Sequence, residues 1–179
     1  MPDLPDLPGR PPVEDRTPPR PVLRVVNPLL RALLRSPLHR LLSAHLMLIS
    51  VRGRTTGRVH TVPVGRHESG GMFLVSSAGN WRHNLRGGAP VKLTVDGRER
   101  TAYAELDEDA DEVAAVFNTL LNRYGRIGPA MLGLRINVQR PPTTDEIKPA
   151  VARRAIARVR LTDQDVGTSV SMRDSRTGA

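Results

Sequence analysis

Residues 46–93 contain the stretch that decides the fold. An apolar run, LMLISV at 46–51, is followed by a glycine-bounded turn, GRTTG at 53–57, and by an alternating segment, RVHTVPV at 58–64. Two such segments joined by a short glycine-containing turn predict a β-hairpin. A second apolar run, MFLV at 72–75, predicts a further strand.

The segment after that run contains the motifs that matter for function. SSAGN at 76–80 predicts a loop, and WRHNL at 81–85 predicts a short helix with Asn80 as its N-cap. This loop and the basic turn both offer unpaired backbone N–H groups beside arginines, an arrangement with which proteins hold phosphate and carboxylate groups. The stretch therefore predicts a site for a large anionic cofactor.

The distribution of charge supports the same interpretation. The net charge is +9, but residues 16–95 contain twelve arginines and one lysine against a single acid, Glu68. A preference for arginine codons explains the choice of Arg over Lys, but it does not explain the lack of acids. Such a positive field attracts nucleic acid, acidic lipid or an anionic small molecule.

Length and composition exclude several classes of protein. A chain of 179 residues is the size of one domain. It has no cysteine, so disulfides, thiolate metal sites and cysteine nucleophiles are excluded. No apolar run approaches the roughly 20 residues that span a bilayer, and the start of the chain does not resemble a secretion signal. We expect a cytoplasmic protein.

Both ends of the chain are expected to lie outside the folded domain. Residues 1–21 hold eight of the sixteen prolines and predict a disordered tail that cannot pack, and residues 163–179 predict a flexible tail. The domain then spans residues 22–162. Near its start, Asn27 and Pro28 predict a helix start, and Pro37 predicts a second one. This basic helical segment, residues 28–44, would either cover the core or contact an anionic membrane surface.

The second half of the chain predicts another hairpin and a long helix. Residues 90–95 and 100–106 alternate around an Asp-Gly turn, which is a strong hairpin signal. Asp109 caps a helix with apolar residues at helical spacing, and Gly125 ends it. Residues 131–138 and 155–161 predict the last strands. The fold class is mainly β (α+β), a split β-barrel of about six antiparallel strands with peripheral helices.

Few residues offer catalytic chemistry of their own. The five histidines form no metal-ligand spacing, and Ser76 and Ser77 lack the nucleophile elbow of serine hydrolases. The turn at 53–57 is not a phosphate-binding loop of the usual nucleotide-binding type. Only 3% of the residues are aromatic, which disfavours a surface that stacks single-stranded nucleic acid. A bound cofactor would then supply the reactive atom.

The motifs resemble those of a known family. GRTTGR at 53–58 followed by Pro63, and WxxNL at 81–85 before Pro90, are similar to the deazaflavin (F420)-dependent nitroreductase family, and the similarity extends over roughly residues 25–162. It implies a split β-barrel and, as cofactor, coenzyme F420, a reduced 8-hydroxy-5-deazaflavin with a phosphate and an oligoglutamate tail. It also implies hydride transfer to a quinone, a nitro compound or an activated alkene.

The resemblance also implies roles for individual residues. The turn would hold the phosphate and tail, the next strand would lie along the cofactor, and the Ser/Gly segment and the tryptophan motif would hold the ring. Tyr124 or solvent would supply the proton. The implied cofactor-binding residues are Arg54, Thr55, Thr56, Arg58, His60, Thr61, Val62, Pro63, Val64, Ser76, Ser77, Ala78, Gly79, Trp81 and Asn84.

Two other functions stay open at this point. The barrel could be a non-catalytic protein that binds another flavin, haem or a fatty acid, or that contacts acidic lipid through residues 28–44. Nucleic-acid binding is the weakest alternative, because aromatic residues and lysines are scarce. We expect a small-molecule electron acceptor as the partner.

Overall fold

The computed structural model describes residues 9–16, 18, 20–37, 40 and 42–162. Nine strands and four α-helices are found in this part of the chain, with 3₁₀ helices at Asn80–Leu85 and Gly125–Ile127. The strands are β1 (Val13–Asp15), β2 (Leu46–Arg52), β3 (Val59–Gly65), β4 (His67–Ser69), β5 (Met72–Ser77), β6 (Ala89–Val95), β7 (Arg98–Asp107), β8 (Leu134–Ile136) and β9 (Ala155–Leu161). The helices are α1 (Arg20–Arg35), α2 (Ala110–Tyr124), α3 (Gly128–Met131) and α4 (Thr144–Val151).

Seven strands form one antiparallel sheet in the order β3-β2-β6-β7-β9-β5-β4. The sheet curls, so that β3 and β5 approach to within 8 Å between Cα atoms although they are not hydrogen-bonded neighbours. The predicted split β-barrel of the α+β class, with peripheral helices, is confirmed. Three of the nine strands have only three residues, too few to show an alternating pattern, which is why the sequence suggested about six.

Both predicted hairpins are present. Strand β2 pairs with β3 from Leu46–Gly65 to Arg52–Val59, and residues 53–58 form the turn between them. Strand β6 pairs with β7 across Asp96 and Gly97, whose φ angles of 50° and 73° are those of the hairpin turn that Asp-Gly favours. The apolar run of β2 is buried on both faces, as its lack of alternation predicts.

The core has two parts, which lie on opposite faces of the sheet. One cluster fills the inside of the barrel, and the other lies between the sheet and the helices α2 and α4. Strand β9 contributes to both, since Ala157 and Val159 belong to the barrel cluster while Ile156 belongs to the helix-side cluster. Alternation along a strand sends successive side chains to opposite faces, so β9, like β5 with Leu74 and Val75, contributes to both clusters.

The N-terminal segment packs further upstream than expected. Val13 is 2% exposed, and β1 pairs with β8 in a separate two-stranded sheet. The prediction that residues 1–21 cannot pack is therefore wrong for residues 13–15. Their partner strand lies more than a hundred residues away, and proline content carries no information about it. The limits of the domain stay a prediction, and residues 1–8 and 163–179 lie outside the described residues.

Helix α1 also begins earlier than predicted. It starts at Arg20 and runs through Pro28, so Asn27 and Pro28 lie inside the helix and do not start it. Pro21 occupies the first turn, where a proline needs no partner for its missing N–H. A proline inside a helix destabilises it. Packing of α1 on β2 and β3, which buries Leu34, supports the helix across Pro28.

The second predicted N-terminal helix is not tested in full. Leu38 and Leu41 of this segment lie outside the described residues. Ser36, the residue before Pro37, donates its hydroxyl to the carbonyl oxygen of Leu33 at the end of α1, at 2.9 Å.

The segment between α2 and β9 differs most from expectation. The strand predicted over 131–138 is limited to Leu134–Ile136, because α3 occupies the residues before it. Helix α4 was not predicted. Its capping box is nevertheless present in the sequence: Thr143 Oγ1 accepts from the Glu146 N–H, and Glu146 accepts from the Thr143 N–H at 2.9 Å.

Candidate functional site

A cavity of about 760 Å³ opens where the curled sheet brings β3 close to the ends of β5 and β9. The 3₁₀ helix at Asn80–Leu85 closes one side of it, and residues from the N-terminal segment and α1 close another. Its volume lies within the range of pockets that hold drug-sized ligands and cofactors. The lining residues are Asp15, Pro18, Asn27, Val62, Pro63, Val64, Gly65, Ser76, Ser77, Ala78, Gly79, Asn80, Trp81, Arg153 and Arg154.

Trp81 is held closely over Gly79 in the cavity wall. A Cβ atom added to Gly79 would lie 2.8 Å from Cδ1 and 2.9 Å from Nε1 of the indole, so any larger residue there would displace the indole. The Gly79 N–H donates to Ser77 Oγ at 3.0 Å, which shapes the turn before the helix. The predicted cap, Asn80, is wrong, because Asn80 is the first helical residue and Gly79 is the N-cap. Ser76 and Ser77 likewise belong to β5 and not to a loop.

Asn84 connects the tryptophan segment to the basic turn between β2 and β3. Its Oδ1 accepts from the backbone N–H of Arg54 at 3.0 Å, and its Nδ2 donates to the carbonyl oxygen of Trp81 at 2.9 Å. The Arg54 guanidinium in turn donates to the carbonyl oxygen of Arg86. The two predicted motifs are therefore joined directly, although the turn lies beside the cavity and not in its wall.

The structure separates the predicted cofactor-binding residues into two groups. Those that line the cavity are Val62, Pro63, Val64, Ser76, Ser77, Ala78, Gly79 and Trp81. Those that do not line it are Arg54, Thr55, Thr56, Arg58, His60, Thr61 and Asn84. The turn residues Arg54–Arg58 are exposed, and Thr61 bonds to Ser50 at 2.9 Å across the hairpin. The basic turn and the tryptophan therefore do not line one common cleft.

Tyr124, the candidate proton donor, lies elsewhere. Its hydroxyl is 3.0 Å from Nδ1 of His67, and the side chain packs against the helix-side core, so it does not line the cavity. His67 is 3% exposed. Burial lowers the pKa of His67 below its ordinary value, and the charge of Arg123 lowers it further. This pair connects β4 to α2.

A carboxylate that lies outside the acid-poor segment 16–95 neutralises part of the positive charge of that segment. Glu108 accepts from Arg86 at 2.6 Å and lies 3.9 Å from both Arg82 and His83. The hydrogen bond from Arg86 lowers the pKa of Glu108, and the same pairing raises the pKa of Arg86. Counting charges along the sequence could not find this partner, because it comes from the end of β7.

The basic turn keeps its charge. Within the described part of the chain, neither Arg54 nor Arg58 forms an ion pair with a carboxylate. Gly53 is enclosed by Thr56, Arg58 and His60, and its N–H donates to the Arg58 carbonyl oxygen at 2.7 Å, so the turn is well defined. Two guanidinium groups without a carboxylate partner among the described residues, on a turn held by its own hydrogen bonds, are suited to a polyanion.

Seven residues of the cavity wall were not predicted as site residues, namely Asp15, Pro18, Asn27, Gly65, Asn80, Arg153 and Arg154. Asp15 and Asn27 come from the N-terminal segment, and Arg153 and Arg154 precede β9. The Arg-Arg pair before the last strand is visible in the sequence, but nothing local shows that the start of β9 lies beside the end of β5. Among the described residues, no three histidine or carboxylate side chains lie together as a metal site requires. None of the helices described has both the length and the apolarity needed to cross a bilayer.

Solved structures with a similar fold are distant. One is an F420 reductase, with 18% identity, a TM-score of 0.41, and coverage of 74% of this chain and 93% of that chain. Another is the conserved hypothetical protein Rv2991 from Mycobacterium tuberculosis, with 18% identity, a TM-score of 0.39, and coverage of 79% and 91%. A third is the FAD and heme binding protein from Mycobacterium smegmatis, with 17% identity, a TM-score of 0.39, and coverage of 73% of each chain.

No curated protein matches the sequence. The sequence profile described as F420H(2)-dependent quinone reductase matches residues 25–126, which is more than half of the chain. The matched region runs from α1 through the barrel strands β2–β7 to the end of α2, and it includes both the basic turn and the tryptophan helix. The chain belongs to the F420H2-dependent quinone reductase family, whose cofactor is coenzyme F420.

Proposed function

We propose that this chain binds reduced F420 with the deazaflavin ring in the cavity beside Trp81 and the anionic tail on the turn at Arg54 and Arg58. The acceptor is a quinone, a nitro compound or an activated alkene. The observation that carries the proposal is the pair of hydrogen bonds through Asn84, which places an unpaired cationic turn next to a cavity of cofactor size.

The shape of the cavity fits a flat ring system. Trp81 packs on the backbone of Gly79 and both residues line the cavity, so the indole offers an aromatic contact for a planar ligand. Pro63 and Val64 of β3 also line the cavity. The wall combines apolar groups with polar ones, among them the hydroxyls of Ser76 and Ser77, and such polar groups fix the orientation of the ligand in cofactor pockets.

The turn fits the phosphate and the glutamates of the tail. Charge-assisted hydrogen bonds from guanidinium groups to phosphate or carboxylate are roughly twice as strong as neutral ones. Arg54 and Arg58 are free of carboxylate partners within the described residues, so binding the tail breaks no existing ion pair at these positions. The remaining residues of the turn, Thr55 and Thr56, add hydroxyl groups to the same surface.

The bound cofactor supplies the hydride. The chain orients the cofactor and the acceptor and excludes water, which holds the reacting atoms close to a reactive geometry. None of the described residues that line the cavity is a tyrosine or a histidine, and Tyr124 is held on His67. We therefore assign the proton that accompanies reduction to solvent.

Titration with F420 tests the role of the turn. Arg54→Ala should weaken cofactor binding by about 1.5–3 kcal/mol, the value for a hydrogen bond to a charged group. Arg98→Ala is the matched control, because Arg98 is also an exposed arginine at a hairpin and does not line the cavity. Equal F420 affinity in the unaltered protein and in Arg54→Ala would contradict this assignment.

Turnover assays address the acceptor. The purified protein would be supplied with reduced F420 and with menadione, a nitroaromatic compound or an activated enone, and cofactor oxidation would be followed by absorbance. Equilibrium dialysis against F420, FMN and haem would be run in parallel. Binding of FMN or haem in preference to F420 would support the non-catalytic alternative.

Contact with a membrane surface is a separate proposal. Val22, Val26 and Leu29 on α1 are 46%, 37% and 68% exposed, and their spacing places them along one side of the helix. An exposed apolar stripe on a basic helix suits an anionic lipid surface. Flotation with vesicles that contain an anionic lipid should recover less of a Val26→Ser/Leu29→Ser variant than of the unaltered protein. Equal recovery would contradict the contact.

A further inference from the structure

We propose that Arg153 binds an anionic substituent of the electron acceptor, so that this enzyme prefers acidic quinones or similarly charged flat acceptors over neutral ones. The inference rests on the proposed function, because it concerns the second ligand of the same cavity. It assigns a specificity-determining residue that lies outside the segment shared with the family profile.

The charges of the cavity wall point to Arg153. The wall contains three ionised residues, Asp15, Arg153 and Arg154. Asp15 and Arg154 form an ion pair, and Arg154 also donates to the carbonyl oxygens of Leu132 at 2.6 Å and Gly133 at 2.8 Å. Arg153 forms no ion pair and no side-chain hydrogen bond with any described residue. The cavity therefore contains one uncompensated positive charge.

This charge lies beside the ring position and not beside the tail position. Ala155 pairs with Ser77 in the sheet, so Arg153, two residues before Ala155, flanks the chain where it leaves β5 toward Gly79. The cations proposed to hold the cofactor tail lie on the β2–β3 turn, outside the cavity wall. One set of cations is thus assigned to the cofactor, and the charge within the cavity is left for the acceptor.

The backbone that carries Arg153 is anchored. The Arg154 N–H donates to the Val151 carbonyl oxygen at 2.8 Å, and the Arg154 guanidinium is fixed by its three partners and lies 5.3 Å from the Phe117 ring centroid. The base of the Arg153 side chain is consequently held in place before any ligand arrives. A preorganised group loses less entropy on binding than a mobile one.

Selectivity follows from desolvation. A carboxylate, an enolate or a sulfonate on the acceptor ring would form charge-assisted hydrogen bonds with Arg153 in a partly enclosed site. A neutral acceptor leaves Arg153 in contact with solvent and gains nothing from it. We expect a charged acceptor to be favoured about tenfold over its neutral counterpart, which is the lower range for a hydrogen bond to a charged group.

A pair of fluorescent probes tests this without turnover. The anion 8-anilino-1-naphthalenesulfonate and the neutral N-phenyl-1-naphthylamine have the same ring system and differ by the sulfonate. Each would be titrated into the cofactor-free protein, with energy transfer from Trp81, the only tryptophan of the chain, as the signal. Arg153→Ala should lower the affinity ratio of sulfonate to neutral probe about tenfold, Arg153→Lys should lower it less, and Arg98→Ala should leave it unchanged. An unchanged ratio in Arg153→Ala would overturn the proposal.

Turnover provides the second measurement. With reduced F420 in excess, Arg153→Ala should lower the ratio of kcat/KM for 1,4-naphthoquinone-2-sulfonate to that for 1,4-naphthoquinone about tenfold, mainly through KM. A drop in F420 affinity in Arg153→Ala with no change in this ratio would assign Arg153 to the cofactor and overturn the proposal. If the unaltered protein neither binds nor oxidises reduced F420, the proposed function fails, and the probe ratio still decides whether Arg153 recognises an anion.

Discussion

Asn84 connects two segments that are thirty residues apart in the sequence. Its amide oxygen holds the Arg54 N–H, and its amide nitrogen holds the Trp81 carbonyl oxygen, so both ends of the amide are used. An asparagine amide offers an acceptor and a donor on two separate atoms. The Asn84 side chain, together with the hydrogen bond from Arg54 to the Arg86 carbonyl oxygen, therefore holds the basic turn beside the tryptophan segment.

Replacing Asn84 should uncouple the turn from the cavity. Asn84→Ala removes both hydrogen bonds and is expected to lower the free energy of unfolding by about 1–2 kcal/mol, and F420 affinity should fall as well. Asn84→Asp keeps the acceptor for the Arg54 N–H and loses the donor, so its F420 affinity should lie between that of the unaltered protein and that of Asn84→Ala. Urea denaturation and cofactor titration would measure these effects. Loss of stability in Asn84→Ala with full cofactor affinity would show that the link is structural only.

Gly79→Ala tests the fit of the ring pocket. The backbone of Gly79 is extended, at φ −76° and ψ 147°, so alanine is allowed there, and the clash is with the Trp81 indole alone. We expect the indole to be displaced, a shift in tryptophan fluorescence, and about tenfold weaker F420 binding, since about 1.4 kcal/mol of ring contact would be lost. Asn80→Ala, an exposed neighbour in the same wall, is the control and should keep its fluorescence spectrum.

Local sequence patterns found only some of these residues. Gly79, Trp81 and Asn84 lie within a short motif, so their proximity follows from a single turn of chain. Arg153 reaches the same cavity only through the pairing of β5 with β9, which depends on contacts between residues far apart in the sequence. Tyr124 was a candidate because of its chemistry, but the sequence could not show that α2 points it toward His67.

Helix α2 shows how a capping residue defines an element. Asp109 accepts from the N–H groups of Asp111 and Glu112, both at 3.0 Å, and Gly125 ends the helix with a positive φ of 54°. Asp109→Ala should lower the free energy of unfolding by about 0.5–2 kcal/mol, because the first turn loses its acceptor. Glu105→Ala, an exposed acid in β7, is the control. Chemical denaturation would detect the difference, and equal midpoints would contradict the role of the cap.

The elements that were predicted well are those defined by local signals. The Asp-Gly hairpin and α2 combine a specific turn or cap with a regular apolar period, so their ends and partners follow from nearby residues. The start of α1, the short strand β1 and the helix α4 depend on tertiary packing that overrides local propensity. For α4 a local signal did exist in the Thr143–Glu146 capping box, but the short helix has only two buried residues to support the prediction.

His67 connects β4 to α2 through Tyr124 and should make stability depend on pH. Its folded-state pKa is lower than that of the unfolded chain because it is buried, with Arg123 adding to the effect. The unfolded chain therefore binds a proton more readily, so stability is complete above about pH 6.5 and falls as the pH drops toward the folded pKa. Denaturation at a series of pH values between about 7 and 5 should show a smaller slope for His67→Gln than for the unaltered protein. His45→Gln, at an exposed site, is the control.

The first strand also decides where the chain can be shortened or extended. Beyond the ladder of β1 on β8, the Arg16 N–H donates to the Gly133 carbonyl oxygen and the Asn137 N–H to the Pro12 carbonyl oxygen, each at 2.8 Å. A protein that begins at residue 22, the limit that proline content suggests, would lose these hydrogen bonds. It would also lose Asp15, the ion-pair partner of Arg154. The protease site for removing an expression tag should therefore lie ahead of residue 9, so that the N-terminal residues that line the cavity, Asp15 and Pro18, are retained.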